Sequence, residues 1–77
     1  PLNKQGRSEV RRAVLPSSIH EWPSFQARQV GNVEGGETVR VNGTTTADGM
    51  TWYRVIRYGG KIGFIDINAI DAQLGSI

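Results

Sequence analysis

His20 sits among Ser17, Ser18 and Ser24 and directly before Glu21, the nearest this sequence comes to a nucleophile, a base and a carboxylate in one stretch. Acyl-transfer chemistry needs more than those residue types. The serine must stand on a strained turn of the glycine-x-serine-x-glycine kind, and nothing of that form surrounds these serines. A zinc site is equally short of donors. The chain has one histidine and no cysteine, so carboxylates would have to complete the set, and Glu21 is adjacent to His20 rather than on a shared strand face. Glu34 and Glu37 flank Gly35-Gly36. Glycoside hydrolysis would require two carboxyls about 5 to 9.5 Å apart across a sugar-sized cleft, for which a turn in so small a protein has no room. Gly59 to Gly63, "GGKIG", would be a phosphate loop only with glycine at Val55, serine or threonine at Ile62, and a helix after it. No catalysis, metal or cofactor is therefore expected of this segment.

Binding chemistry is better represented. Trp22, Phe25, Trp52 and Phe64 place large rings beside turn-rich stretches, and extended peptides are commonly held in grooves with aromatic walls. Trp22 precedes Pro23, which forces extended backbone on it and favours a loop position. His20 and Glu21 would give such a groove its polar contacts. The candidate ligand-binding set is thus His20, Glu21, Trp22, Phe25, Trp52 and Phe64, with Phe25 also readable as a core or loop anchor. Tyr53 and Tyr58 read as structural, the first inward and the second in a turn.

The elements that would position these rings are short. With 77 residues and no cysteine, the chain makes one small domain with no disulfide to stabilise it. It begins at Pro1, and its only methionine is Met50, so it is expected to be a segment of a longer protein. No apolar run approaches the ~20 residues that cross a bilayer. The net charge of +2 is uneven: Lys4, Arg7, Arg11 and Arg12 against Glu9 make the first sixteen residues about +3 and the remainder about −1. Residues 1–14 accordingly read as a basic linker or interdomain arm, in which Ser8 to Val14 could form a short helix capped by Ser8. Beyond them, apolar runs alternate with turn residues every 8 to 12 positions or so, the all-β pattern. Thr38 to Val41 alternate cleanly, and Gly35-Gly36, Asn42-Gly43 and Asp48-Gly49 are turn chemistry.

"WYRVIRYGGKIGFI", Trp52 to Ile65, reads as a two-stranded ribbon that carries apolar residues on both faces. A two-residue turn at Gly59-Gly60 would put Arg54 opposite Ile65, in the core. A three-residue turn, Tyr58 to Gly60, instead gathers Tyr53, Val55, Gly63, Ile65 and Ile67 on one face, with Gly60 in the left-handed conformation. The other face then holds Trp52, Arg54, Ile56, Ile62 and Phe64, ending at Asp66. It is too apolar to be left bare. Either it is a groove wall and contact surface, or the amino-terminal arm or the "SFQARQV" segment covers it.

The order of these elements resembles the bacterial SH3 domain. Ile19-His20-Glu21-Trp22-Pro23-Ser24 stands where that family has its valine-arginine-x-glycine-proline-serine lead-in, and Gly31 follows Pro23 by eight positions. Gly36 to Val41 resembles the glycine-threonine turn and valine strand. Asp48 to Val55 and Lys61 to Ile65 resemble the closing tryptophan-tyrosine hairpin and its return strand. His20 replaces the usual arginine, Trp22 replaces a small residue, and Ile56 lengthens the hairpin.

The resemblance spans roughly residues 17 to 70 and implies an all-β, small SH3-like barrel of five to seven short antiparallel strands over residues 15–77. It also implies a non-catalytic module that targets an attached enzyme, such as a peptidoglycan hydrolase of a bacterium or a phage, to peptidoglycan peptides or another extended peptide in the cell envelope or outside the cell. Two rivals remain. One is a structural module packing Trp52, Ile56, Ile62 and Phe64 on a neighbouring domain. The other, less favoured, is a nucleic-acid-binding barrel using Arg7, Arg11, Arg12, Arg28, Arg54 and Arg57.

Overall fold

The computed structural model describes residues 8–70. Six strands form one antiparallel sheet: β1 (Glu9–Arg12), β2 (Ser17–His20), β3 (Gln29–Val33), β4 (Thr38–Ala47), β5 (Met50–Ile56) and β6 (Ile62–Asp66), followed by one helical turn, α1 (Ile67–Ile70). The spatial order is β1-β4-β5-β6-β2-β3. This is the expected small all-β fold, coiled around a single interior and left unjoined between its terminal strands, β1 and β3. The expectations for Lys4 and Arg7, and for everything before Ser8 or after Ile70, lie outside the described residues.

Strand parity sets the interior. The β5–β6 register pairs Tyr53 with Ile65, Val55 with Gly63 and Ile56 with Ile62. The turn between them spans Tyr58 to Gly60, with Arg57 N–H donating to Lys61 O at 2.6 Å and Gly60 N–H to Arg57 O at 2.8 Å. Gly59 and Gly60 both have positive φ, 81° and 84°, a conformation other residues enter only with strain. This is the three-residue turn, and the Tyr53 face is the core. Tyr53, Val55 and Ile65 pack there with Ile19, Val33, Val39, Val41, Ala69 and Ile70.

One expectation is corrected. Residues 9–12 are not linker or helix but strand β1, in register with β4 from Glu9 opposite Val41 to Arg12 opposite Thr38. Ala13 behind them is 1% exposed and belongs to the core. Arm residues are therefore built into the sheet, because the first half of β4 needs a partner on its outer edge. β4 shifts register between Val41 and Thr44, at Gly43 with φ 142°. The bulge bends the strand and lets it run from β1 to the far end of β5.

For the other face of the ribbon, where exposure and cover were both expected as alternatives, the structure shows cover at Trp52. Trp52 is 1% exposed, and Ile56, Ile62 and Phe64 are half-buried. Trp52 is therefore sealed, while Ile56, Ile62 and Phe64 keep part of their surface open. Of the two proposed covers, the "SFQARQV" segment lies over Trp52, through Phe25.

Candidate functional site

A groove of about 260 Å³ lies between the loop that joins β2 to β3 and the β4–β5 hairpin; its walls are Pro23 to Gln26 on one side and Ala47, Asp48 and Met50 on the other, with Trp52 between them. Each wall is fixed by local chemistry. The hairpin is a two-residue turn, Ala47 opposite Met50, with Asp48 at φ 54° and Gly49 at φ 76°. Positive φ at both central positions is what the right-handed twist of a tight hairpin demands, and Asp-Gly supplies it.

The other wall is tied off at its base and folded on itself. Glu21 N–H donates to Arg28 O at 2.8 Å, Ser24 N–H to Trp22 O at 2.7 Å, and Ala27 N–H to Ser24 O at 3.1 Å. Ser24 Oγ accepts from Gln26 N–H at 3.1 Å. An ion pair of Arg28 Nε with Glu21 Oε1 at 3.4 Å closes the neck from outside.

His20 connects this loop to the sheet. Its ring is 4% exposed, and Nδ1 lies 3.0 Å from Ala27 O, so Nδ1 carries the proton and donates to that carbonyl. The ring meets Phe25 and Trp52 edge-on, at 5.9 Å and 89° and at 6.0 Å and 83°. Phe25 in turn tilts over Trp52 at 4.8 Å and 56°. Three rings thus form a second, aromatic core on the outer side of the sheet, in geometries that the positive edge and negative face of an aromatic ring favour.

The candidate residues divide accordingly. Trp22 is 65% and Phe25 57% exposed, so both present ring surface to solvent, and Phe25 lines the groove. Trp52 also lines it but is a buried floor rather than an open wall, because Phe25 lies on it. His20 is buried beneath the loop and does not line the groove. Glu21 is half-buried and engaged with Arg28. Phe64 stands opposite His20 and Arg54 on the outer sheet face and does not line the groove.

Ser24, Gln26, Asp48 and Met50 line it without having been anticipated. The turn signal at Asp48-Gly49 was in the sequence, but nothing there says which loops meet.

Trp52 Nε1 is buried and has no hydrogen-bond partner among the described residues. A buried indole N–H normally finds an acceptor, and leaving it unpaired costs about 1–3 kcal/mol. With Asp48, Ser24 and Gln26 nearby, the site offers donors and acceptors over an apolar base, suited to an extended backbone. No group of His, Cys, Asp or Glu able to hold a metal occurs among the described residues.

No curated protein and no solved structure matches the chain. A family model does, that of the bacterial SH3 domain, over residues 15–69. That span takes in both walls of the groove and five of the six strands, so the chain belongs to the bacterial SH3 domain family, a family of non-catalytic binding modules.

Proposed function

We propose that this domain is a targeting module that holds an attached peptidoglycan-degrading enzyme on the bacterial cell wall, outside the cell, by docking wall peptides in the groove between the β2–β3 loop and the β4–β5 hairpin. One observation carries the reading: two exposed rings, Trp22 and Phe25, stand on the loop that forms one wall of a groove whose floor is Trp52. An extended wall peptide would lie against Phe25 and the Trp52 floor, with the exposed Trp22 ring on the same loop but outside the groove lining. A weak contact suffices, because tethering converts each later encounter with substrate into an intramolecular one.

Several of the guanidinium groups that a nucleic-acid reading would use are already engaged. Arg11 pairs with Glu9 at 2.9 Å, Arg28 pairs with Glu21, and Arg12 donates to Gly36 O at 3.0 Å. Phosphate binding would weaken steeply with salt, whereas groove binding by rings changes little.

The test is co-sedimentation of the chain with insoluble wall sacculi at about 50 and 500 mM salt, comparing the natural sequence with Trp22→Ala and Phe25→Ala. The natural chain should pellet at both salt concentrations and the variants should stay in solution. Equal behaviour of all three proteins, or release of the natural chain by salt alone, would remove the proposal.

A further inference from the structure

A second cleft, of about 380 Å³, lies between β3 and the start of β4, with the end of β5 and the Tyr58 turn at its margin. It shares no residue with the aromatic groove. Its floor reaches the core: Ile19, Val39 and Val55 are at most 8% exposed and all line it. Val30 contributes a partly buried side chain to the same wall.

Two features make this more than a gap. The first is backbone. β3 is a terminal strand of the sheet, so along Val30, Gly31 and Asn32 its outer row of N–H and C=O groups faces no neighbouring strand among the described residues, and these three residues border the cleft. An open edge of this kind is a template for one more strand. The second is charge. Arg40 and Arg57 line the cleft and no carboxylate does. Neither arginine is in an ion pair among the described residues; Arg40 Nη1 donates only to Ser8 Oγ, at 3.2 Å. Glu37, next to the lining residue Thr38, is engaged elsewhere, its Oε1 accepting from Glu34 N–H at 2.7 Å.

Arg57 is also held in place. Its backbone anchors the turn on both sides, and its Cδ lies 2.9 Å from where a side chain on Gly63 would begin, so its stem rests on the β6 backbone. The guanidinium then projects from a fixed base.

We infer that this cleft is a second binding site, and that it takes the end of an extended peptide with a free carboxylate. The chain would add to the β3 edge, its last apolar side chain would lie over Val30 and Val39, and its carboxylate would be met by Arg57 and Arg40 as a charge-assisted hydrogen-bonded pair. The volume is at the low end for a small-ligand site, room for a chain terminus rather than for a strand passing through.

The experiment is a two-dimensional amide NMR titration of the full chain with N-acetyl-Gly-Ala-Val and with the same peptide as its C-terminal amide. The free acid should shift the signals of Val30 to Asn32, Thr38 to Arg40 and Arg57 to Tyr58, and bind at least about tenfold more tightly than the amide. Arg57→Gln and Arg40→Gln should each weaken it by about tenfold with dispersed, folded spectra. Trp22→Ala should leave it unchanged, which separates this site from the wall-binding groove. Equal binding of acid and amide, unchanged affinity in both arginine variants, shifts at Asp48 and the Trp52 indole instead, or no shifts up to about 10 mM peptide would each overturn the inference.

Discussion

Trp52 shows how far a single residue's role can be read before its surroundings are known. Strand parity placed it on the face opposite Tyr53, and it is there. Parity says nothing about what lies above a strand, and the cover comes from Phe25, in a loop far away in sequence. The consequence is energetic. At 1% exposure, truncation of the indole would leave a cavity, and Trp52→Ala should lower stability by about 3–5 kcal/mol, read as a fall in the urea midpoint. Trp22→Ala, on a ring that is 65% exposed, should change stability by no more than about 0.5 kcal/mol. Loss of wall binding in the Trp52 variant would therefore report unfolding, and the same loss in the Trp22 variant reports contact with ligand. If the two variants unfold at the same denaturant concentration, the description of Trp52 as the centre of a second core is wrong.

Among the elements, the β5–β6 hairpin was the most legible, because an arginine cannot sit in the core and this alone selected the turn length. Its glycine was not. Gly63 has an ordinary extended place in a strand, and its reason lies across the sheet: a β-carbon there would stand 2.5 Å from Ile19 Cγ2 and 2.9 Å from Arg57 Cδ. Both neighbours would have to move, and Ile19 is itself buried. Gly63→Ala should therefore destabilise by about 1–3 kcal/mol, the usual penalty for overfilling a packed interior, although alanine suits a strand better than glycine. Thermal unfolding decides this, and an unchanged or raised midpoint would mean that β2 and β6 can separate freely.

The closing turn α1 was also missed. Ile67 was expected to continue the strand face, yet the chain turns at Asp66, whose Oδ1 accepts from Asn68 N–H at 3.0 Å. That cap was there to be read in Asp66-Ile67-Asn68, hidden by the apolar alternation that runs through it.

For the molecule as a whole, the boundary of the folding unit is the largest difference between what the sequence suggests and what the chain does. "EVRR" has no apolar period, and Val10 is 58% exposed, so no hydrophobic signal marks it as a strand. It is held instead by the β4 ladder and by the residues that follow. Ala13 N–H donates to Glu37 O at 2.7 Å, Gly36 N–H to Ala13 O at 2.8 Å, and Val14 N–H to Ala69 O at 2.7 Å. Arg11 adds its guanidinium 5.4 Å from the centre of the Tyr53 ring. The family match begins after this strand, at residue 15, so a chain cut to residues 15–77 would keep every matched position and still lose β1. Two effects should follow. Loss of the β1–β4 ladder, of these three further backbone bonds at about 0.5–1.5 kcal/mol each and of the buried Ala13 should lower stability by about 2 kcal/mol or more in urea. The outer edge of β4 would also be uncovered beside an apolar interior, and such an edge pairs with its like, so the shortened chain should self-associate more strongly than the full chain in sedimentation equilibrium. Identical urea midpoints for the two chains would place the strand outside the folding unit and restore residues 1–14 to the status of a linker. A lower midpoint without self-association would show that β1 contributes stability while some other feature, such as the bulge at Gly43, protects the edge.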